Sequence, residues 1–148
     1  GRVFVAGHSA GGYLTSMIGL DKRWLEPYGI DPDTAFVALI PYSGQVVTHF
    51  ERRRELGLPD TQPLVDDMAP LSYVRPDCRP MLILSGDRER EMLGRYEENA
   101  YFWRMMRVAG HPDVRICEFD GFDHGNMPQA GHFVTVRYIR EMERRMDR

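Results

Sequence analysis

Cysteine is scarce in this sequence: two in 148 residues, Cys78 in a proline-rich stretch and Cys117 within an apolar run. They form neither a disulfide framework nor a metal-ligating pattern, and Cys117 has the character of a small buried apolar residue. No apolar run nears the ~20 residues that a membrane-spanning helix needs. Neither sign of charge dominates, the formal net charge being −3 with 28% charged residues, and nothing points to a nucleic-acid partner. Arg52-Arg53-Arg54 sits between Glu51 and Glu55, the pattern of a solvated helix face rather than of a phosphate-binding patch. Internal repeats and low-complexity segments are lacking too. A signal peptide would lie upstream of Gly1, so the sequence leaves the compartment open.

What is present is concentrated near the start. The apolar run Val3-Phe4-Val5-Ala6 feeds directly into Gly7-His8-Ser9-Ala10-Gly11, a GxSxG pentapeptide, and residues 13–20 are compatible with a helix. Such a strand–turn–helix is a nucleophile elbow: the turn forces the serine into a strained backbone conformation that needs small residues two positions before and two after it. Gly7 and Gly11 meet that need. The elbow lifts the Ser9 hydroxyl clear of the sheet, and the following helix aims its first N–H groups and its dipole at the same point. The Ala10 N–H is then an oxyanion donor. The continuous apolar run predicts a strand buried on both faces.

A hydrolytic serine needs a base and an acid, and on this architecture they follow it in the order acid, then histidine. Met81-Leu82-Ile83-Leu84-Ser85-Gly86 is a second buried strand, introduced by Pro80, and it ends in the charged run Asp87-Arg88-Glu89-Arg90-Glu91. Most of such a run is solvated; one carboxylate suffices. Val114 to Phe119 predicts another strand, running into Asp120-Gly121-Phe122-Asp123-His124-Gly125. A histidine in a glycine-flanked loop just past a strand is free to reach the elbow. His49, His111 and His132 lack that setting: His111 marks a turn before the Val114 strand, and His132 opens the final helix.

GHSAGG at residues 7–12, LILSGDRE at residues 82–89 and FDHG at residues 122–125 together give the chain a resemblance to the C-terminal part of an α/β hydrolase. The nearest likeness is to the carboxylesterase, acetyl-xylan esterase and arylformamidase group. The resemblance covers nearly the whole chain. It implies Ser9 as nucleophile, His124 as base, and an acid three residues after the strand-closing glycine, which is Glu89, where aspartate is more usual. Asp87, one residue after Gly86, is the competing choice. The resemblance implies no cofactor and no metal.

It also implies strands before the elbow and an HGG-type segment supplying a second oxyanion donor. The expected fold is therefore α/β, a mostly parallel sheet with helices on both faces and its N-terminal strands missing. The Val3 strand would present an exposed apolar edge, with pairing to another copy or to a missing N-terminal segment as its consequence. Ala35 to Ile40 reads as the next buried strand, ended by Pro41-Tyr42-Ser43-Gly44. Residues 45–80, broken by five prolines and carrying a short helical patch at 46–56, form a cap or connecting insertion. Residues 97–109 and 132–146 are amphipathic helices. Alternation of strand and helix predicts a parallel sheet.

These readings converge on a serine hydrolase cleaving small carboxylic esters, acetyl esters among them, through an acyl enzyme. His8, Tyr13, Tyr42, Phe122 and Met127 are candidates for the substrate pocket, with plain packing as the alternative for each. An amidase or arylformamidase uses the same triad. An inactive fragment and a non-catalytic binding module are the alternatives outside enzymology.

Overall fold

The computed structural model describes residues 2–148. Four strands, β1 (Val3–His8), β2 (Phe36–Tyr42), β3 (Met81–Gly86) and β4 (Val114–Phe119), form one sheet in the order β1-β2-β3-β4, every adjacent pair parallel. Helix α1 (Ala10–Leu20) follows β1, the single turn α2 (Pro32–Ala35) precedes β2, and α3 (Phe50–Glu55) lies in the β2–β3 connection. Helix α4 (Arg95–Val108) joins β3 to β4, and α5 (Met127–Met146) closes the described chain. The α/β reading holds, with helices on both faces of a parallel sheet.

Side-chain alternation along β3 shows how the two faces are filled. Met81 and Ile83 point into one cluster with Leu20, Leu39, Phe102 and Met106, beneath α1 and α4. Leu82 and Leu84 point into the other with Ile40, Tyr42, Met127, Tyr138 and Met142, beneath α5. All six β3 residues are buried, as expected for a strand covered on both faces. Fully burying an aliphatic side chain of this size stabilises by ~2 kcal/mol, so β2 and β3 anchor the domain.

β1 departs from the expectation of a strand buried on both faces. Among the described residues it pairs only with β2, and Val3 is 47% exposed; an edge strand has one neighbour fewer to cover its side chains. β2 runs two residues past Ile40 to Tyr42. Pro41 interrupts the ladder to β3: the Leu39 and Ser43 N–H groups donate to the Pro80 and Leu84 carbonyls, and the bond that position 41 would make between them is missing because proline has no N–H. The helical patch expected at 46–56 shrinks to α3, where His49 Nδ1 accepts the Glu51 N–H and starts the helix. The last helix begins at Met127, five residues before His132, with Pro128 in its first turn and the Asp123 side chain accepting from Gly125 and Asn126 N–H.

The arginine triplet divides between surface and interior. Arg52 and Arg54 pair with Glu55, Glu51 and Asp60 at the surface, but Arg53 is only 6% exposed and donates to the carbonyls of Thr48, Asp60 and Gln62. On a single helical turn three consecutive residues cannot share one solvated face. Cys78 and Cys117 are free thiols, and burial pushes Cys78 up to about 12.

Candidate active site

The C-terminal ends of parallel strands converge on one edge of the sheet, and there β1 turns into α1. Ser9 sits in that turn at φ 58°, ψ −115°, a conformation that costs an L-residue ~1–3 kcal/mol. The surroundings hold it. The Ser9 N–H donates 2.9 Å to the Tyr42 carbonyl, and the Ser9 carbonyl accepts the Tyr13 N–H at 3.0 Å. A Cβ on Gly7 would lie 2.4 Å from the Gly11 carbonyl oxygen, and one on Gly12 would lie 2.8 Å from the Tyr42 oxygen. Gly11 itself would meet nothing within 4 Å. Close approach therefore requires glycine at 7 and 12; at 11 only the backbone is used, which corrects the pairing of Gly7 with Gly11. The first N–H groups of α1 have no partner within the helix, and the Ala10 N–H adjoins the Ser9 hydroxyl.

From the loop after β4, His124 reaches across 115 residues of sequence to place Nε2 2.9 Å from Ser9 Oγ. Its Nδ1 is hydrogen-bonded to a Glu91 carboxylate oxygen, with the second oxygen 3.3 Å away. The Glu91 side chain is fully buried and that of His124 is 21% exposed. Burial pushes the Glu91 carboxyl upward, but hydrogen bonds from His124 and Ser43 outweigh it, so the group titrates below the usual carboxylate range.

The carboxylate on His124 is thus neither Glu89 nor Asp87. Asp87 is turned the other way: one oxygen accepts the Glu89 N–H at 2.9 Å and the other the Gly121 N–H at 2.7 Å. Those bonds hold its carboxyl low. Glu89 is exposed, and Arg88 forks onto Glu118 of β4. The Asp87 carbonyl accepts from the N–H groups of Arg90 and Glu91; this helical turn folds the chain back so that Glu91, five residues past Gly86, points inward. Gly86 makes room for it, since a Cβ there would lie 2.7 Å from the Phe122 carbonyl and 3.2 Å from Glu91 Oε2. The charged run concealed Glu91, and the signal that singles it out is tertiary.

The five pocket candidates separate. His8 does not face open space: its Nε2 lies 2.8 Å from the His124 carbonyl, and the two rings lie tilted against each other with centroids 4.7 Å apart. Burial lowers its pKa, against the opposing effect of that bond. Tyr42 and Met127 are 5% and 0% exposed and belong to the core beneath α5, Tyr42 hydrogen-bonding Thr135. They are packing residues rather than pocket walls, because β2 and the start of α5 turn them away from the strand ends. Phe122 is half-buried against the same core and edge-on to Phe119. Tyr13 donates 2.7 Å to the Met68 carbonyl and lies beside His49, which stacks on Phe50. A nearby cavity of about 200 Å³ is lined by Gln45, Phe50, Met92, Leu93 and Arg95 among others. Among the described residues no group of three or more His, Cys, Asp or Glu is disposed to hold a metal ion, and no helix is long and apolar enough to cross a membrane.

This arrangement can deprotonate a hydroxyl and hold the resulting imidazolium. No family model and no curated protein matches the chain. Solved structures do. Thermogutta terrifontis esterase 2 phosphoramylated by tabun superposes with a TM-score of 0.66 at 18% identity, covering 94% of this chain and 54% of that one. The propionate-bound form gives 0.65 at 18% identity, covering 94% and 55%. The apo form gives 0.58 at 23% identity, covering 82% and 45%. The likeness is one of fold: the chain has an α/β hydrolase-type fold and spans about half the length of these esterases.

Proposed function

We propose that this chain carries the reacting residues of a serine hydrolase acting on small carboxylic esters, with Ser9 as nucleophile, His124 as general base and acid, and Glu91 as the orienting acid. The observation that carries the reading is the unbroken hydrogen-bonded series from Glu91 through His124 to Ser9, contributed by the ends of three strands, with the serine in a strained elbow.

The chemistry follows from the order of these contacts. His124 Nε2 takes the Ser9 proton as Oγ attacks the ester carbonyl, and Glu91 keeps Nδ1 protonated so that Nε2 is the basic nitrogen. The tetrahedral oxyanion is stabilised by the Ala10 N–H at the positive end of α1, an interaction of a kind worth ~3 kcal/mol. Collapse expels the alcohol, which receives the proton from His124 and leaves an acyl enzyme. Water, deprotonated by the same histidine, releases the acid. Residues 45–80 contribute Gln45 and Phe50 to a cavity that Met92 and Leu93, directly after Glu91 in the chain, help to line.

Phosphorylation of the similar esterase by paraoxon and its phosphonylation by sarin support a reactive nucleophile. The same esterase has been captured with propionate and with butyrate, which supports a short acyl group. The resemblance to acetyl esterases points the same way.

The test is hydrolysis of p-nitrophenyl acetate by the purified chain alongside Ser9→Ala and His124→Ala, with circular dichroism for folding. Turnover in the parent that both folded variants lose is expected. Turnover retained by a folded Ser9→Ala overturns the reading. A folded parent that neither turns over ester nor is labelled by a fluorophosphonate points instead to a binding module, and preference for p-nitroacetanilide points to an amidase.

A further inference from the structure

Beyond the three residues just assigned, one fully buried hydroxyl touches the site. Ser43, directly after β2, is 0% exposed and has φ 45°. Its Oγ donates 2.9 Å to Glu91 Oε2, the carboxylate oxygen other than the one nearest His124. A serine at positive φ is strained, and the strain is held from three sides. The Ser43 N–H donates 2.7 Å to the Leu84 carbonyl of β3, and the Ser43 carbonyl accepts from the guanidinium of Arg95, itself 3% exposed. The next residue, Gly44, is wedged against the elbow helix: a Cβ there would lie 2.5 Å from Gly12 C and 2.6 Å from Tyr13 N. Its carbonyl accepts the Asn99 side-chain amide at 2.8 Å. A backbone costing free energy, fixed by α1, α4 and β3 at once, aims a hydroxyl at one oxygen of one carboxylate.

We propose that Ser43 is a positioning residue for the Glu91–His124 pair, with Arg95 fixing Ser43 in turn; the inference rests on the serine hydrolase reading above. Glu91 follows β3 on a loop that is exposed at Met92 and Leu93 and has no neighbouring strand to fix its rotamer. The Ser43 hydrogen bond occupies Oε2, leaves Oε1 for the imidazole and sets the plane in which the carboxylate meets Nδ1. Without it Oε2 loses its side-chain donor, and His124 is the one side chain left that hydrogen-bonds the carboxylate. The effect falls on the step in which His124 becomes charged, so kcat is affected and KM is not.

Two variants separate positioning from folding. Ser43→Ala removes the hydroxyl and keeps the strain; Ser43→Gly removes the hydroxyl and relieves it. Ser85→Ala is the control, deleting a buried hydroxyl of β3 that has no hydrogen-bond partner among the described residues. Both position-43 variants are expected to lose roughly tenfold in kcat on p-nitrophenyl acetate at unchanged KM, while Ser43→Gly unfolds no earlier than Ser43→Ala. The second readout needs no turnover: the low-field proton resonance of the His124–Glu91 hydrogen bond shifts or vanishes in both variants and stays in place in Ser85→Ala. Unchanged kcat with an unmoved resonance overturns the proposal, as does an activity loss that follows melting temperature across the three variants. Should the parent prove inactive, the functional reading falls, and the resonance alone decides whether Ser43 positions the pair.

Discussion

Gly7 and Gly11 face each other across the elbow, yet the contact is one-sided: a side chain at 7 would enter the Gly11 peptide, 2.4 Å from its oxygen, whereas one at 11 would point into open space. The strand end must pass against the backbone of the first helical turn, and the two glycines therefore tolerate substitution unequally. Gly7→Ala is expected to cost roughly 3 kcal/mol, since backbone rather than a movable side chain is in the way. Gly11→Ala is expected to be neutral or to stabilise by up to ~1 kcal/mol through helix propensity. Urea unfolding of the two variants checks this, and equal losses would contradict it.

Three carboxylates lie within five residues of one another after β3, and they are expected to behave differently. Glu91→Gln removes the charge that holds the His124 tautomer and should lower kcat by roughly 100-fold or more. Glu89→Gln should leave kcat and stability at the parent level, because the side chain is exposed. Asp87→Asn should lower the melting temperature slightly through its bonds to the Gly121 and Glu89 N–H groups, with little change in kcat. Steady-state kinetics and melting on the same three proteins decide; a collapse of kcat in Glu89→Gln alone would return the acid to that position.

Burial lowers the pKa of both His8 and His49 from the ordinary 6.5. His8 faces His124, Glu91 and Arg95; His49 faces Arg95, Glu51, Arg53 and Arg54. The unfolded chain therefore binds protons at these sites before the folded one does, and stability rises with pH across that interval. The stability they confer is complete above the unfolded value and is lost as pH falls below 6.5 toward the folded values. Melting temperature followed from about pH 7.5 to 5 should fall in the parent and fall less in the double variant His8→Asn/His49→Asn. Parallel curves would remove these residues from the account.

Arg53 is the interior member of its triplet, and its guanidinium is the partner of three backbone carbonyls. Arg53→Ala would empty a buried position and leave the buried Thr48 carbonyl without this donor, while the Asp60 and Gln62 carbonyls turn to water, and an expected cost of about 1–3 kcal/mol follows. Arg52→Ala breaks only an exposed pair with Glu55 and should change stability by less than ~0.5 kcal/mol. Chemical denaturation of the two single variants distinguishes a structural arginine from a solvated one.

Much of this molecule was legible in one dimension because the signals are local. Continuous apolar runs between turn residues located β2, β3 and β4 to within two residues, and a small-residue turn after the Val3 run located the elbow. The start of α5 escaped because Asn126 at the helix boundary makes no side-chain cap, and the turn before it is tied instead by the Asp123 side chain on the Gly125 and Asn126 N–H groups. The burial of Arg53 escaped because the triplet's composition is that of a surface helix. Glu91 escaped for a related reason: a run of alternating charges has no period that distinguishes one carboxylate from the next.

The sequence by itself determined the order of strands and helices, the serine at the elbow and the histidine in a glycine-flanked loop, because each depends on backbone preferences and hydrophobic burial within a few residues. Only the tertiary structure decided which carboxylate meets His124, that Ser43 supports it, that His8 holds the His124 loop, and which glycines are sterically required. These are distances between segments as many as 116 residues apart, fixed by how the strand ends pack together rather than by any pattern within one of them.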